Sequence, residues 1–333
     1  MHTWDLIGHR RWGYLLSALV IVAGLAGIAA WGIDFGIDFT GGTLLDLQLG
    51  REASLAEVRA TLAGFGLEEA QIQKAGDRPR EVLIRTRVLE EAEVSRIQRA
   101  FAAQYGGAQV LRAERVGPRI GRELRRQAVV AVLVGLALQV LYITWRFRSV
   151  RFALAADVAL VHDLLIVLGL YALTRRTVDS SFVAVLLTVV GYSINDTVVI
   201  LDRIRENQQL RTREPFPRLV NRSILEVLVR SLTTGFGAII ALLILYFYGG
   251  PTLRDFIFGL GAGVVTGTYS SIFVASPLLV EWHLWAERRA GRLPAARPVV
   301  ETPPPAEAAA VGAPPVPGRL RTEPARRRRR RRR

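Results

Sequence analysis

Ionisable side chains inside long apolar runs are the first residues that could carry chemistry. Asp196 lies in the apolar run 180–201, with Tyr192 and Asn195 beside it. An ionised side chain at the bilayer centre costs at least about 2.5–3.5 kcal/mol on insertion scales, so a span keeps one chiefly where a partner or a water path exists. On a helix, Thr188, Tyr192, Asn195 and Asp196 lie near one face, which we expect to point inward. The pattern predicts a carboxyl group that binds and releases a proton.

Arg230 is the candidate partner of that carboxyl. It immediately precedes the apolar run 231–248, which crosses in the opposite direction to the run that holds Asp196. We therefore expect the two residues at matching depth, where the guanidinium would stabilise the charged carboxylate. The alternative is a static ion pair that fixes two helices, because buried pairs are weak evidence for stability.

The run 152–174 adds three further ionisable residues, Asp157, His162 and Asp163. Histidine titrates near neutral pH, so His162 and Asp163 could form a proton relay. In the alternative reading, these two residues hydrogen-bond neighbouring helices, and Asp157 is paired near the lipid headgroups. A third reading is a membrane protease with Asp163 and Asp196 as its carboxyl pair, but neither residue lies in the Gly-x-Gly-Asp setting that such proteases have.

Other chemistries are disfavoured by what the sequence lacks. The chain has no cysteine, so it offers no thiol nucleophile, disulfide framework or zinc knuckle. It also has neither a G-x-x-x-x-G-K-[ST] phosphate loop nor an H-E-x-x-H metal pair. We therefore expect no enzyme activity, no metal and no cofactor, with a proton gradient as the energy source.

Six apolar runs supply the helices that would position these residues. The hydrophobic fraction is 50%, and a helix needs roughly 20 apolar residues to cross a bilayer. We predict an α-helical membrane protein with six spans. The candidate spans are 12–31, 127–145, 152–174, 180–201, 231–248 and 256–280.

Small residues recur on one face of the sixth run. Gly259, Gly263 and Gly267 follow one another at four-residue spacing, and Ser271 continues the row. Helix association in lipid relies on close packing, so we expect this face to contact a neighbouring helix. The alternative is that glycine is simply common in membrane helices.

The segment between the first two runs alternates strand and helix patterns. Strands are predicted at 43–49, 82–86 and 108–116, helices at 55–65 and 89–105, and a further strand at 70–74. This β-α-β-β-α-β order predicts a small ferredoxin-like α+β domain.

Arginines in the short loops set the predicted orientation. They gather on one side of the membrane if both termini are cytoplasmic, with Arg175-Arg176 as an outvoted exception. We therefore predict a multi-pass inner-membrane protein. Its predicted segments are a cytoplasmic N-terminus 1–11, a first span 12–32, an extracytoplasmic domain 33–121, spans two to six within 122–281, and a disordered Arg-rich cytoplasmic tail 282–333.

Four motifs occur between residues 10 and 285. They are Gly36-Ile37-Asp38-Phe39-Thr40-Gly41-Gly42-Thr43, Val116-Gly117-Pro118, Val161-His162-Asp163, and Val190-Gly191-Tyr192-Ser193-Ile194-Asn195-Asp196-Thr197. Taken together, they resemble the SecF family, the smaller half of the SecDF protein-export complex.

The resemblance implies half of an RND-type bundle, which pairs with SecD to form twelve spans. It implies that proton flow assists late export of unfolded polypeptides through SecYEG, with YajC-like and YidC-like proteins as accessory partners. It places the family's membrane acid at Asp196, within the motif that includes Tyr192 and Asn195, and its arginine at Arg230. The eight-arginine end of the tail lies outside the family pattern; we expect either simple solvation or contact with anionic lipid or ribosomal RNA.

The first motif is expected to be architectural rather than catalytic. Its glycines, Gly36, Gly41 and Gly42, allow a bend where the chain leaves the membrane. Asp38 and Thr40 can satisfy exposed backbone groups there.

One rival function is left open by the sequence. A stand-alone RND-type exporter of small molecules could be built as a homodimer of this six-span unit. Such an exporter would be expected to have a larger extracytoplasmic domain.

Overall fold

The computed structural model describes residues 4–74, 78–210, 214–250 and 253–291. Its helices are α1 Arg10–Trp31, α2 Ile37–Thr40, α3 Leu55–Ala63, α4 Glu91–Tyr105, α5 Pro118–Phe147, α6 Val150–Leu173, α7 Ser180–Leu210, α8 Phe216–Tyr248, α9 Arg254–Ser270 and α10 Ser276–Arg289. A π-helical turn, Ser271–Ala275, joins α9 to α10. Its strands are β1 Gly42–Leu49, β2 Gln71–Lys74, β3 Glu81–Thr86 and β4 Ala108–Val116.

Six helical segments among the described residues are long and apolar enough to cross a membrane. They are α1, α5, α6, α7, α8 and the continuous stretch from α9 through α10. The predicted number of spans is therefore confirmed.

The helices extend beyond the apolar runs from which they were predicted. α5 begins at Pro118, α7 continues to Leu210 and α8 begins at Phe216. Ile204 on α7 and Val220 on α8 are fully buried in one hydrophobic cluster. The helices therefore continue where apolar contacts between neighbours persist, a property that an average of hydropathy along the chain does not register.

The predicted start of the tail at residue 282 was wrong. α10 continues to Arg289, because Trp282 and Leu284 still pack against a buried cluster. The rest of the predicted tail, 292–333, lies outside the described residues.

A four-stranded antiparallel sheet with two covering helices forms the sheet domain, residues 42–116. The strand order is β2-β3-β1-β4, and the predicted β-α-β-β-α-β order along the chain is confirmed. Leu45 and Leu47 of β1 are buried with Leu62 of α3 and Phe101 of α4. α3 and α4 are shorter than predicted: the first ends at Ala63, and the second starts at Glu91.

The small-residue row of α9 packs against α7, which confirms the predicted helix contact. A Cβ atom added at Gly263 would lie 2.0 Å from a methyl group of Val189, and one added at Gly267 would lie 2.9 Å from the Cβ of Ser193. The two helices can approach this closely only because glycine has no side chain. This contact fixes the part of α7 that carries Asp196.

The first motif links the membrane helices to the sheet domain. The Asp38 carboxylate accepts hydrogen bonds from the backbone N–H and the hydroxyl of Ser180, at the start of α7. The Thr40 hydroxyl donates to the carbonyl oxygen of Gly36. Gly41 and Gly42 have φ angles of 75° and 136°, which side chains rarely tolerate. A Cβ atom on Gly42 would also lie 2.4 Å from the carbonyl oxygen of Thr86.

Two buried acids lie near one another in the sheet domain. Asp46 and Glu81 are 6% and 4% exposed. Burial, followed by the charge of Glu81, raises the pKa of Asp46 to about 6, although Arg112 and Arg78 act in the opposite direction. The carboxylate of Glu81 is paired with Arg78 at 2.9 Å.

Asp46→Asn is expected to stabilise the sheet domain at neutral pH. The pKa of Asp46 is about 6 in the folded protein and about 3.9 in an unfolded chain, so the folded state binds the proton more tightly. The free energy of unfolding therefore falls as pH rises from about 4 to about 6, and it stays lower above that range. The variant removes this fall, with a gain of about 1 kcal/mol after allowance for solvent screening. Hydrogen exchange of the amides in β1 and β3 measures the gain in the full chain.

Glu52→Gln is the control for that measurement, because Glu52 is an exposed acid paired with Lys74. It should leave exchange in β1 and β3 nearly unchanged. Exchange at pH 7 that is equal in Asp46→Asn and the parent chain would contradict the expectation.

Candidate proton-coupling site

Asp196 lies among hydroxyl groups from two neighbouring helices. Its side chain is buried, at 6% exposure, and its Oδ2 accepts a hydrogen bond of 3.2 Å from the hydroxyl of Thr268 on α9. The buried hydroxyl of Ser231, on α8, lies close to the same carboxyl but makes no hydrogen bond of normal geometry. The carboxyl is thus enclosed by α7, α8 and α9.

Arg230 lies beside this carboxyl without clamping it. Its charge acts on Asp196, as the predicted matching depth requires. Within the described residues, however, the two side chains form no ion pair, and Arg230 is exposed. The alternative of a static buried pair is therefore wrong for this structure. The next residue, Ser231, points its hydroxyl inward instead.

The predicted inward face of α7 is only partly correct. Thr188 and Asn195 are exposed, whereas Asp196 is buried and Tyr192 is half-buried. Consecutive residues differ by about 100° around a helix, so Asn195 points outward when Asp196 points inward. The Tyr192 hydroxyl is buried without a hydrogen-bond partner among the residues that the structure describes.

The exposed side chains of α7 line a shallow cavity on the outside of the bundle. Its volume is about 510 Å³. Polar groups of the Asp196 motif therefore line a cavity that is open to the outside. The lining residues are Tyr142, Thr188, Gly191, Tyr192, Ile194, Asn195 and Val198.

Two neighbouring helices on this outer surface are poorly covered. In the most apolar part of α5, 6% of the residues are buried, and in α8 the share is 11%, compared with 56% in α6. Gln139 of α5 has a buried side-chain nitrogen with no partner in the described part of the chain. Polar groups on membrane helices usually face another protein segment, so this surface has the features of a helix-packing face.

Asp163 is the most deeply buried acid of the bundle. It is 0% exposed and accepts hydrogen bonds from Ser193 of α7 at 2.6 Å and Ser270 of α9 at 2.8 Å. Its other oxygen lies 3.0 Å from Nδ1 of His162. The predicted hydrogen bonds to neighbouring helices are therefore present.

The predicted headgroup pairing of Asp157 is wrong. Both of its carboxylate oxygens are buried, and neither has a hydrogen-bond partner within the described ranges. Asp157 lies seven residues after the start of α6, which is about 10 Å along the helix axis. The carboxyl is therefore covered by the surrounding structure instead of being paired.

Sequence reasoning missed Thr268 and Ser231 at this site. Thr268 follows Gly267 of the small-residue row, and Ser231 follows Arg230. The row predicted that α9 would approach α7 closely, but hydroxyl residues are common in membrane helices and carry no distinguishing signal alone. Among the described residues, no group of three or more His, Asp or Glu side chains could hold a metal ion.

The family comparison covers most of the chain. Residues 96–285 match the model of the protein export membrane protein SecD/SecF, C-terminal region. Residues 30–53 match the SecD/SecF GG motif, which contains the first motif described above.

Similar curated proteins are protein translocase subunits. The SecF subunit of Desulfurispirillum indicum is 41% identical over 82% of this chain and 90% of its own length. The SecF subunit of Alicyclobacillus acidocaldarius is 40% identical, over 89% of this chain and 98% of its own length. The SecDF subunit of Thermus thermophilus is 42% identical over 81% of this chain, but over only 37% of its own length.

A solved structure has the same fold. The crystal structure of the translocon-associated membrane protein SecDF from a Thermus species superposes with a TM-score of 0.79 at 39% identity. The alignment covers 85% of this chain and 39% of the SecDF chain, so this chain spans about two fifths of that protein.

Proposed function

Because the chain belongs to the SecD/SecF family of protein-export membrane proteins, we propose that it uses proton movement at Asp196, together with SecD, to promote late export of unfolded polypeptides through SecYEG. Its SecF and SecDF relatives are protein translocase subunits, so its role is in Sec protein export. A stand-alone exporter of small molecules is not favoured. In this proposal, the chain is not an enzyme and uses no cofactor other than the proton gradient.

The observation that carries the proposal is a buried carboxyl that is not locked into either charge state. The Thr268 hydroxyl bonded to Asp196 can donate to a carboxylate or accept from a protonated carboxyl. Arg230 acts on the charge without forming an ion pair, so Asp196 can lose or gain a proton without breaking a salt bridge. Each elementary charge crossing the membrane supplies about 2.3 kcal/mol per 100 mV, which can bias a conformational equilibrium of a few kcal/mol.

The path from this site to the sheet domain supports a mechanical role. Asp196 lies on α7, and the start of α7 is held by Asp38 of α2. α2 leads through Gly41 directly into β1. A second link joins Arg85 of β3 to Asp34, which follows α1, at 3.2 Å. A shift of α7 on proton binding would therefore reach the sheet domain through short, hydrogen-bonded connections.

SecD is the proposed occupant of the outer face around the Asp196 motif. In the SecDF relative, this chain corresponds to about two fifths of one longer protein, so a second half exists there in the same chain. The exposed Thr188 and Asn195 of α7, with half-buried Tyr192, would face that half. A partner acid from SecD would then approach the same interface. YajC-like and YidC-like membrane proteins are further proposed partners.

The sheet domain is proposed to be ferredoxin-like and to lie outside the cytoplasm. Its β2-β3-β1-β4 order and its two helices fit the split β-α-β arrangement. We propose that both termini lie in the cytoplasm of a bacterial inner membrane, because the arginine-rich short loops lie on the same side as the termini. Contact of the Arg-rich tail with anionic lipid or ribosomal RNA is proposed from its charge alone.

His162 and Asp163 are proposed as a relay on the same proton path. Ser193, which donates to Asp163, is three residues before Asp196 on α7. Within the described part of the chain, no hydrogen bond joins the two acids directly. A relay between them would therefore run through a water molecule.

Photocrosslinking tests the proposed SecD face. A benzophenone side chain at position 195, on the exposed side of α7, is expected to capture SecD in native membranes. The matched control is position 19, because Leu19 is 66% exposed on α1, which packs mainly against α6. Equal capture of SecD at both positions, or none at position 195, would contradict the proposed interface.

An export assay tests the function itself. Membrane vesicles that contain SecYEG and SecD, with or without this chain, are supplied with a secretory precursor. We expect a proton-motive force to accelerate completion of export only when this chain is present. The same acceleration without it would remove the proposed role.

A further inference from the structure

A chain of hydrogen-bonding groups crosses the bundle from α1 to α7 beside His162. The Tyr269 hydroxyl donates to the carbonyl oxygen of Gly13 at 2.6 Å and lies 3.2 Å from the hydroxyl of Ser17. Ser17 lies 3.0 Å from Nε2 of His162. Nδ1 of His162 lies 3.0 Å from Asp163, which accepts from Ser193 and Ser270.

All of these contacts can be hydrogen bonds at the same time only if the protons of Tyr269, of Ser17 and on Nε2 of His162 are placed in one way. The single hydroxyl proton of Tyr269 goes to a carbonyl oxygen, so Ser17 must donate its own proton to Tyr269. Nε2 of His162 must then carry the proton that is donated to Ser17. One further proton is needed between Nδ1 and Asp163, either on the ring or on the carboxyl.

Loss of that further proton forces a rearrangement. Two lone pairs would otherwise face each other across the 3.0 Å contact between His162 and Asp163. The ring relieves this by moving its remaining proton from Nε2 to Nδ1. Nε2 then becomes an acceptor, so the Ser17 hydroxyl turns towards it and gives up its bond to Tyr269. The contact between α1 and α9 is thereby weakened.

We propose that His162 and Asp163, the residues proposed above as a relay, hold a proton of their own at equilibrium, and that its binding switches the Ser17 hydroxyl between Tyr269 and His162. Both residues are buried, at 6% and 0% exposure. Titratable groups on packed elements beside these contacts include Tyr269 on α9, whose ring stacks on His162, and Asp196, one helical turn beyond Ser193 on α7. The Asp196 carboxyl is bonded to Thr268 instead, so the two sites have separate hydrogen-bond partners.

Protonation of the imidazole nitrogens gives a direct test. The full chain is labelled with ¹⁵N-histidine and placed with SecD in lipid nanodiscs. It contains four histidines. The resonances that are missing from the spectrum of His162→Gln belong to His162. We expect Nε2 of His162 to be protonated at low pH and to lose its proton as pH rises. Nε2 that stays protonated, or stays bare, from pH 5 to pH 10 would overturn the proposal.

Tyr269→Phe tests the hydroxyl switch. Without the phenol oxygen, Ser17 is free to donate to Nε2, so release should occur at a pH lower by roughly half a unit to one unit, as the loss of one hydrogen bond predicts. Tyr14→Phe is the matched control, because the Tyr14 hydroxyl on α1 is buried without a partner among the described residues. Loss of the Nε2 proton at the same pH in the two variants would overturn the proposed switch.

Two acid variants separate this site from the proposed export mechanism. Asp163→Asn should abolish the pH-dependent change at Nε2, and Asp196→Asn should leave it unaltered. A change at Nε2 that disappears in Asp196→Asn would show a single coupled site and overturn the proposal. The readout is spectroscopic, so a negative result here leaves the export test of Asp196 standing.

Discussion

Replacing Asp196 with asparagine is expected to abolish the acceleration of export by the proton-motive force. Asparagine keeps the size of the side chain and still accepts the hydrogen bond from Thr268, but it cannot bind or release a proton. The chain should therefore fold, insert and associate with SecD as before. The export assay in vesicles should give the same rate with and without an imposed proton-motive force.

Asp157→Asn is the matched control, because Asp157 is also an acid within a span, but it makes no described contact with Arg230 or Thr268. It should retain the acceleration of export. If Asp196→Asn exported as well as the parent chain under a proton-motive force, proton binding at Asp196 could not drive the process. Loss of SecD binding in that variant would instead indicate a structural role and would also contradict the mechanism.

Gly263→Ala is expected to destabilise the packing of α9 against α7. The added Cβ atom would lie 2.0 Å from a methyl group of Val189 and 3.1 Å from its Cβ atom, so the helices must separate. Overpacking of this kind costs about 1–3 kcal/mol. The separation would also draw Thr268 away from Asp196. We therefore expect a lower midpoint of thermal unfolding in detergent and a loss of export.

Gly261→Ala is the control for that variant. It makes the same substitution two residues earlier on α9, where no heavy atom lies within 4 Å of the added Cβ atom. It should be neutral or slightly stabilising, since alanine favours helix more than glycine does. Equal unfolding midpoints for the two variants would mean that the close contact between α7 and α9 does not govern stability.

The sequence alone determined the number of spans and the order of elements in the sheet domain. Apolar runs long enough to cross a bilayer are a property of consecutive residues, so the six spans could be counted directly. The alternation of strand and helix patterns between residues 43 and 116 is equally local. The positions of the helix ends are not determined by the local sequence pattern. For example, α8 begins at Phe216 because contacts with other helices continue beyond its apolar run.

The sequence also singled out Asp196, because an ionised carboxyl in an apolar span costs free energy and is kept chiefly at functional positions. The position of Arg230, just before the antiparallel apolar run 231–248, predicted a partner at matching depth. Only the tertiary structure decided what each group faces. The rotation of α7 turns Asp196 inward and Asn195 outward, and the close approach of α9 brings Thr268 to the carboxyl. These contacts depend on how several helices are turned about their axes, and the order of residues along one helix leaves that angle undetermined.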